Sequence, residues 1–369
     1  KNSNQKTLKE VIDIIEEFAP PAYAEDFDNV GLLVGDKSTT VTGALITLDT
    51  LEGVVEEAIE KNCNLIISFH PIIFSGLKKL TGKDYVQKTV IKAIKNDIAI
   101  YAIHTALDNQ YKGVNDMISE KIGLKNRQIL IPRKDSIKKL TTFVPNEQAA
   151  EVRKALFNAG GGSIGNYDNC SFNLKGEGSF KPNEDANPVI GKRGEVHLEE
   201  ETQIGLIYPS HLEKKLLQAL FNAHPYEEVA YEVNALENEN QHLGMGMVGE
   251  LETAEDEKSF LERIKNQFNC GCIRHSELRE KPIKKVAVLG GSGSFAINPA
   301  KAAGADIYLT ADLKYHDFYK GDKNFVLADI GHYESEQFTK DLLHSYLTKK
   351  ISNFALILAE TNTNPIKYI

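Results

Sequence analysis

Three histidines and two carboxylates stand where this 369-residue chain could do chemistry. His70 ends the apolar run Leu65-Ile-Ile-Ser-Phe-His70, and Pro71 stops that run. His104 ends Ile98-Ala-Ile-Tyr-Ala-Ile103 and is followed four residues later by Asp108. His332 lies just beyond Phe325-Val-Leu-Ala-Asp-Ile330 and is followed four residues later by Glu336. An apolar run bounded by a breaker predicts a buried strand of a parallel sheet, and ligands gather outside the carboxyl ends of such strands. Imidazoles with carboxylates that can bridge two ions suit zinc first, and iron or manganese next. A helix beginning after His332 would put His332 and Glu336 on one face. Thr105-Ala-Leu-Asp108 is open between a loop and a first helical turn. The competing reading of any lone strand-end histidine is one that is merely hydrogen-bonded or solvated. Two His-x3-carboxylate pairs together with His70 favour the metal.

Helical spacing covers Leu8–Phe18, a helix near 51–61 that Asp49 or Thr50 would cap, Tyr85–Asn96 and Val114–Ile122. Strands are expected at Ala44–Leu48, Asn64–Ser68 and Ile98–Ile103, an alternation that predicts a doubly wound α/β layer. The texture changes after Pro132. Strands at Lys139–Val144, Cys170–Lys175, Gly176–Phe180, Glu195–Ile207 and Val229–Val233, with helices at Glu147–Ala159 and Ser210–Asn222, predict a split βαβ, ferredoxin-like α+β unit. From Lys285 the α/β texture returns, with strands at Val286–Leu289, Asp306–Thr310 and Phe325–Ile330. A short helix at Asn298–Ala303 and a longer one at Ser335–Leu347 accompany them, and Phe354–Leu358 closes the sheet.

Laying Ala44 on Val286 brings His70 onto Asp312, and each flanking region then places a histidine beyond a strand. The fold class expected is therefore α/β, with two related halves forming one metal-binding domain (1–131 and 245–369). Residues 132–244 form the inserted ferredoxin-like domain.

The bulk properties narrow the function classes. A net charge of −9 argues against broad binding to nucleic acid, and no apolar run reaches the length of a bilayer span. Lys1-Asn-Ser-Asn-Gln-Lys6 lacks a signal core, and four irregularly spaced cysteines, Cys270-Gly-Cys272 among them, read as free thiols. A cytoplasmic protein is expected. Gly290-Gly-Ser-Gly-Ser294 is either a tight βα turn or an anion nest, since it lacks the spacing of a nucleotide fingerprint.

Ser68-Phe-His-Pro-Ile-Ile-Phe74, His104-Thr-Ala-Leu-Asp108, Gly290-Gly-Ser-Gly-Ser294 and Gly331-His-Tyr-Glu-Ser-Glu336 together resemble the Nif-three-like family. Its bacterial members are called GTP cyclohydrolase 1 type 2 homologues. Asp28-Asn-Val-Gly31, Thr310-Ala-Asp-Leu-Lys314 and Pro225-Tyr-Glu-Glu228 fit the same comparison. The resemblance implies up to two divalent metal ions per subunit, a homohexameric ring and a PII-like or CutA-like insert. It implies His70, Asp108 and Glu336 around one ion, and His332 with a bridging Glu336 at the second. It leaves His104 as a ligand or an orienting group. Family members usually carry two consecutive histidines before the proline; here the first is Phe69, which leaves the second ion short of a ligand.

The leading functional expectation is a metal-dependent hydrolase of a small, nucleotide-like substrate, with Glu336 bridging and His104 moving a proton. The alternative is a ring-shaped, metal-containing binding or regulatory scaffold without catalysis. A ring threaded by nucleic acid is disfavoured by the charge.

Overall fold

The computed structural model describes residues 5–352 and 354–369; residues 1–4 of the segment read for a signal core lie outside them. The chain divides into two compact units, Lys1–Ile131 with Leu243–Ile369, and Pro132–His242.

The first half of the larger unit opens with α1 (Leu8–Phe18), whose Thr7 and Glu10 form a reciprocal capping box and whose Val11, Ile12 and Ile15 are buried. It continues through β1 (Gly31–Val34), β2 (Gly43–Thr47), α2 (Glu52–Glu60), β3 (Leu65–Ser68), α3 (Tyr85–Lys95), β4 (Ala99–Ala102), α4 (His104–Asn109), α5 (Val114–Ile122) and β5 (Lys125–Arg133). β2, β3 and β4 run parallel, with Leu45 beside Ile66 and Ile67 beside Tyr101. Every position in these three strands is buried. That is why each reads as an unbroken apolar run.

Pro132–His242 holds β6 (Ile137–Pro145), α6 (Ala149–Asn158), β7 (Phe172–Phe180), β8 (His197–Pro209), α7 (Glu213–Ala223) and β9 (Tyr231–Ala235). The sheet order β7-β8-β6-β9, with all pairs antiparallel, is the split βαβ arrangement. Val152, Leu156, Leu216 and Leu220 of the two helices pack on Leu140, Ile204 and Leu206. Cys170–Lys175 and Gly176–Phe180 do not form two strands around a turn. β7 is one strand, with Gly176 and Gly178 inside it.

The second half runs through β10 (Asn240–Glu255), α8 (Glu257–Gln267), β11 (Arg274–His275), β12 (Ile283–Ser292), α9 (Ile297–Ala302), β13 (Ile307–Ala311), β14 (Val326–Asp329), α10 (His332–Glu336), α11 (Thr339–Lys350) and β15 (Ala355–Leu358). β12, β13 and β14 are parallel, aligned at Val286, Ile307 and Val326. Antiparallel β11 flanks β14 as β1 flanks β4. β10 and then β5 extend the sheet beyond β12. The expected helix Ser335–Leu347 is broken at Gln337–Phe338 into α10 and α11. β15 does not close the sheet of its own half; it joins the other, parallel to β2 with Leu356 beside Ala44. One apolar core lies between the sheets, containing Ile46, Ile67 and Tyr101 together with Val288, Leu309 and Ala328. Among the described residues no helix is long and apolar enough to cross a membrane.

Candidate metal centre

Each histidine is fixed by the strand that ends before it. Past Ser68 the amides of Phe69 and His70 still donate to Thr47 O and Leu48 O, so β3 keeps its pairing up to the imidazole. Ser68 Oγ donates to the His70 carbonyl at 2.7 Å. His104 opens α4 with φ of 24°, a value rare outside glycine, and its amide donates to Phe69 O at 2.8 Å. Strained backbone of this kind clusters at functional sites.

All three rings are anchored in one way. His70 Nδ1 lies 2.8 Å from Asp49 Oδ1, His104 Nδ1 2.8 Å from Asp28 Oδ1, and His332 Nδ1 2.7 Å from Asp312 Oδ2. Because an ionised carboxylate only accepts, Nδ1 is the donor and Nε2 is left for other work. Asp28 is kept ionised: burial raises its pKa, but the bonds with His104 and Thr105 prevail and hold it at about 2. None of these three aspartates was expected from the sequence to hold a histidine ring. The expected cap at Asp49 or Thr50 is not used, because Leu51 occupies the N-cap of α2 without a side-chain bond. Asp49 faces the ring and accepts from Thr363 Oγ1 at 3.1 Å, while the Thr50 hydroxyl is buried without a partner. Asp28 and Asp312 stood in the stretches Asp28-Asn-Val-Gly31 and Thr310-Ala-Asp-Leu-Lys314 of the family resemblance, and Asp312 also fell on His70 in the internal repeat.

On the inner side, His70 Nε2 stands 3.0 Å and His332 Nε2 3.1 Å from Glu336 Oε2. One donor atom from each of these residues lies within 4.8 Å of the others. Those short distances are not aligned hydrogen bonds, and Glu336 Oε2 is a buried oxygen without a hydrogen-bond partner. Asp108 Oδ1 is another. Orphaned buried oxygens are costly. Donors that face a common point at the wrong angle for each other suit a cation placed between them. The residues present fit a divalent ion.

The charges agree. Burial disfavours the charged ring at His70, but Glu336 and Asp49 prevail and raise it to about 10. At His332 burial is likewise outweighed, by Asp312 and Glu336, and its pKa rises to about 11. Burial also opposes charge on Glu336, yet the two imidazoles hold its carboxyl well below the ordinary range. Burial raises Asp108 far above that range, and the Glu336 carboxylate adds to the push. Two rings that hold protons beside a carboxylate, with a second carboxyl driven toward neutrality, form a charge pattern in which a cation could take the place of the protons.

The structure therefore brings His70, His332 and Glu336 together, and His104 and Asp108 flank them. The rings of His70 and His104 are 5.2 Å apart between centroids, and those of His70 and His332 5.4 Å. Thr105–Asp108 is helical, within α4. Phe69 is fully buried in the core between the sheets, its ring nearly perpendicular to that of His104 with centroids 5.5 Å apart.

Gly290-Gly-Ser292 does not form a turn but ends β12, only Gly293 and Ser294 turn toward α9, and the first amides are already used. Gly290 N donates to Asn115 Oδ1 and Gly291 N to Ser335 Oγ, each at 2.9 Å. Gly291 has φ of +76°, and a Cβ there would lie 2.4 Å from Glu336 Oε1 and 3.2 Å from His332 Nε2. The glycine makes room for the carboxylate. Cys270 and Cys272 are free, and burial pushes the Cys270 thiol up to about 12.

Residues 6–365 match the family description Duf34/NIF3 (NGG1p interacting factor 3). The chain belongs to this family. It is 38% identical over 367 residues to the GTP cyclohydrolase 1 type 2 homolog of Bacillus subtilis (strain 168), covering 98% of each chain. The homolog of the same name from Halalkalibacterium halodurans is 37% identical, with 97% of this chain and 98% of that one covered. Among solved structures, a Bacillus cereus protein related to NIF3 matches with a TM-score of 0.86 at 37% identity, covering 100% of both chains. A Staphylococcus aureus protein matches with a TM-score of 0.78 at 30% identity, covering 99% of both.

Proposed function

We infer that this member of the Duf34/NIF3 family is a metal-dependent hydrolase of a small, nucleotide-like substrate. The observation that carries this reading is the convergence of His70 Nε2 and His332 Nε2 on a Glu336 oxygen with no hydrogen-bond partner. In this reading His70, Asp108 and Glu336 would hold one divalent ion, zinc before iron or manganese, and His332 with Glu336 would hold a second. A bound ion would supply Lewis acidity to a water and to the bond under attack. Asp49 and Asp312 keep the Nε2 lone pairs of His70 and His332 directed inward. His104, held by Asp28 with Nε2 free of that bond, takes and returns a proton. The name shared by the relatives makes GTP the first substrate to test.

The finer architecture belongs to the same proposal. The strand order of Pro132–His242 supports a PII-like insert. A cytoplasmic homohexamer would use exposed apolar residues such as Phe27 and Phe74, whose rings lie 6.4 Å apart.

The test joins metal analysis to a turnover screen of GTP, other nucleotides and phosphoesters. Turnover that depends on metal, and is lost in Glu336→Gln with the assembly intact, supports hydrolysis. Bound metal without turnover on any substrate class gives the scaffold reading instead. Metal-replete protein that carries no ion would overturn the site itself.

A further inference from the structure

A well-formed cavity remote in sequence from the histidines and carboxylates of the candidate metal centre has no part in the hydrolase reading. It lies wholly within Pro132–His242 and has a volume of about 810 Å³, well within the range of small-molecule sites. Side chains alternate across a strand. On β8, Ile204 and Leu206 enter the core beneath the helices, so Glu201 and Gln203 lie on the opposite face and line the cavity. On β7, Leu174, Gly176 and Gly178 pair with Gln203, Glu201 and Glu199, which puts them on that same face.

The walls are aromatic and the floor carries a carboxylate. Phe180 and Tyr226 line the cavity with ring centroids 5.7 Å apart, and Phe143 adds a third ring. Tyr226 Oη donates to Glu201 Oε1 at 2.8 Å. Glu201 lies across Gly178, where a Cβ would come within 2.2 Å of its Oε2, and no ion pair to Glu201 occurs among the described residues. The glycine thus lets the carboxylate lie flat while the tyrosine fixes it. Above the floor, Pro182 and Ile190 come from the connection between β7 and β8. The amide of Asn187 in that connection donates to Glu227 Oε2 at 2.9 Å, which ties the two sides of the mouth together. Charge around the cavity is negative in balance, with Glu177, Glu201, Glu227 and Glu228 set against Lys175 and Lys181.

We propose that this cavity binds a small organic cation with an apolar body, an arylalkyl amine in class. Its ammonium is held by Glu201 and the faces of Phe180 and Tyr226, and its body lies against Leu174 and Ile190. Aromatic faces and a carboxylate both favour a cation. A neutral molecule leaves Glu201 without a counter-charge, and an anion meets repulsion.

The experiment is calorimetric titration of the full chain with phenethylamine, 2-phenylethanol and phenylacetate, which present one aromatic body with three charge states. Phenethylamine is expected to bind at least tenfold more tightly than the other two. Glu201→Gln keeps an acceptor for Tyr226 and should abolish that preference. Gly176→Val adds a side chain where a Cβ meets nothing within 4 Å, and should weaken every probe by filling the space. Metal content should be unchanged in both variants. Equal affinity for the three probes, no binding of the amine at millimolar concentration, or an unaltered preference in Glu201→Gln overturns the proposal. So does concentration-dependent protection of the β7 amides in probe-free protein, which would put a second copy on this face.

Discussion

The two halves of the larger unit present the same strand ends and arm them differently. In the repeat that lays Ala44 on Val286, Asp49 occupies the place of Gly291, and His70 the place of Asp312. The first half thus puts its orienting carboxylate after β2 and its imidazole after β3. The second half puts the orienting carboxylate after β13 and its imidazole after β14. Exchanging those roles empties the position at the end of β12, and the glycine left there, Gly291, admits Glu336. The matching carboxylate of the first half, Asp108, is one methylene shorter and keeps an oxygen without a hydrogen bond. A repeat can therefore keep polar side chains at the same strand ends while exchanging which end carries the imidazole and which the carboxylate.

Filling the second half's gap is the severest way to break this asymmetry. Gly291→Val would set a branched side chain against Glu336 at a left-handed φ. It should cost about 2–4 kcal/mol of stability and reduce bound metal to background, as read by denaturation and elemental analysis. Asp49→Asn and Asp312→Asn test whether the exchanged carboxylates are equivalent. Each should weaken metal binding by roughly 10–100-fold in a competition assay with a chromogenic chelator. An effect of Asp312→Asn alone would mean that the first half merely lends a ring. Phe69→His sharpens the contrast by giving the first half a further imidazole. It should increase the metal bound per chain, while placing a polar group in the core should cost about 1–3 kcal/mol; unchanged stoichiometry would show that Phe69 is only packing.

The smallest effect is expected where the halves are tied. Glu57 on α2 accepts from the amides of Glu360 and Thr361 at 2.7 and 3.0 Å. Burial raises its pKa, but its bonds with Lys61 and Thr361 prevail, and it falls from the ordinary 4.5 to about 2. A depressed carboxyl contributes stability above its unfolded pKa and loses it as pH falls through the folded one. Glu57→Gln should cost about 1 kcal/mol at neutral pH. It should also flatten the wild-type loss of stability between about pH 4.5 and pH 2, as followed by thermal melts.

The parallel strands were legible because burial on both faces leaves runs such as Leu65–Ile67 wholly apolar, and His332 to Glu336 because one helical turn fixes that spacing. The aspartates were not. An aspartate between a strand and a helix suits a cap as well as a histidine, and only the position of His70 in space decides for Asp49. β10 escaped notice because Gly244, Gly246 and Gly249 interrupt its apolar pattern. At those three places a Cβ would lie 2.1, 3.1 and 2.8 Å from its nearest neighbour in or beside β5, or in β12. The break at Gln337–Phe338 has no glycine or proline to announce it. Phe69 was read from the sequence as a missing ligand. Its place in the core between the sheets adds that the same ring is also structural.

β5 and β10 lie side by side, so the chain leaves the larger unit at Ile131 and re-enters it at Leu243 through neighbouring strands. Topologically the pair is a hairpin whose turn has been enlarged into a whole domain. Closing a loop whose ends already meet adds little entropic cost as its contents grow. Such a junction tolerates exchange: a lineage could acquire, lose or replace the guest without altering the strands that carry the ligands.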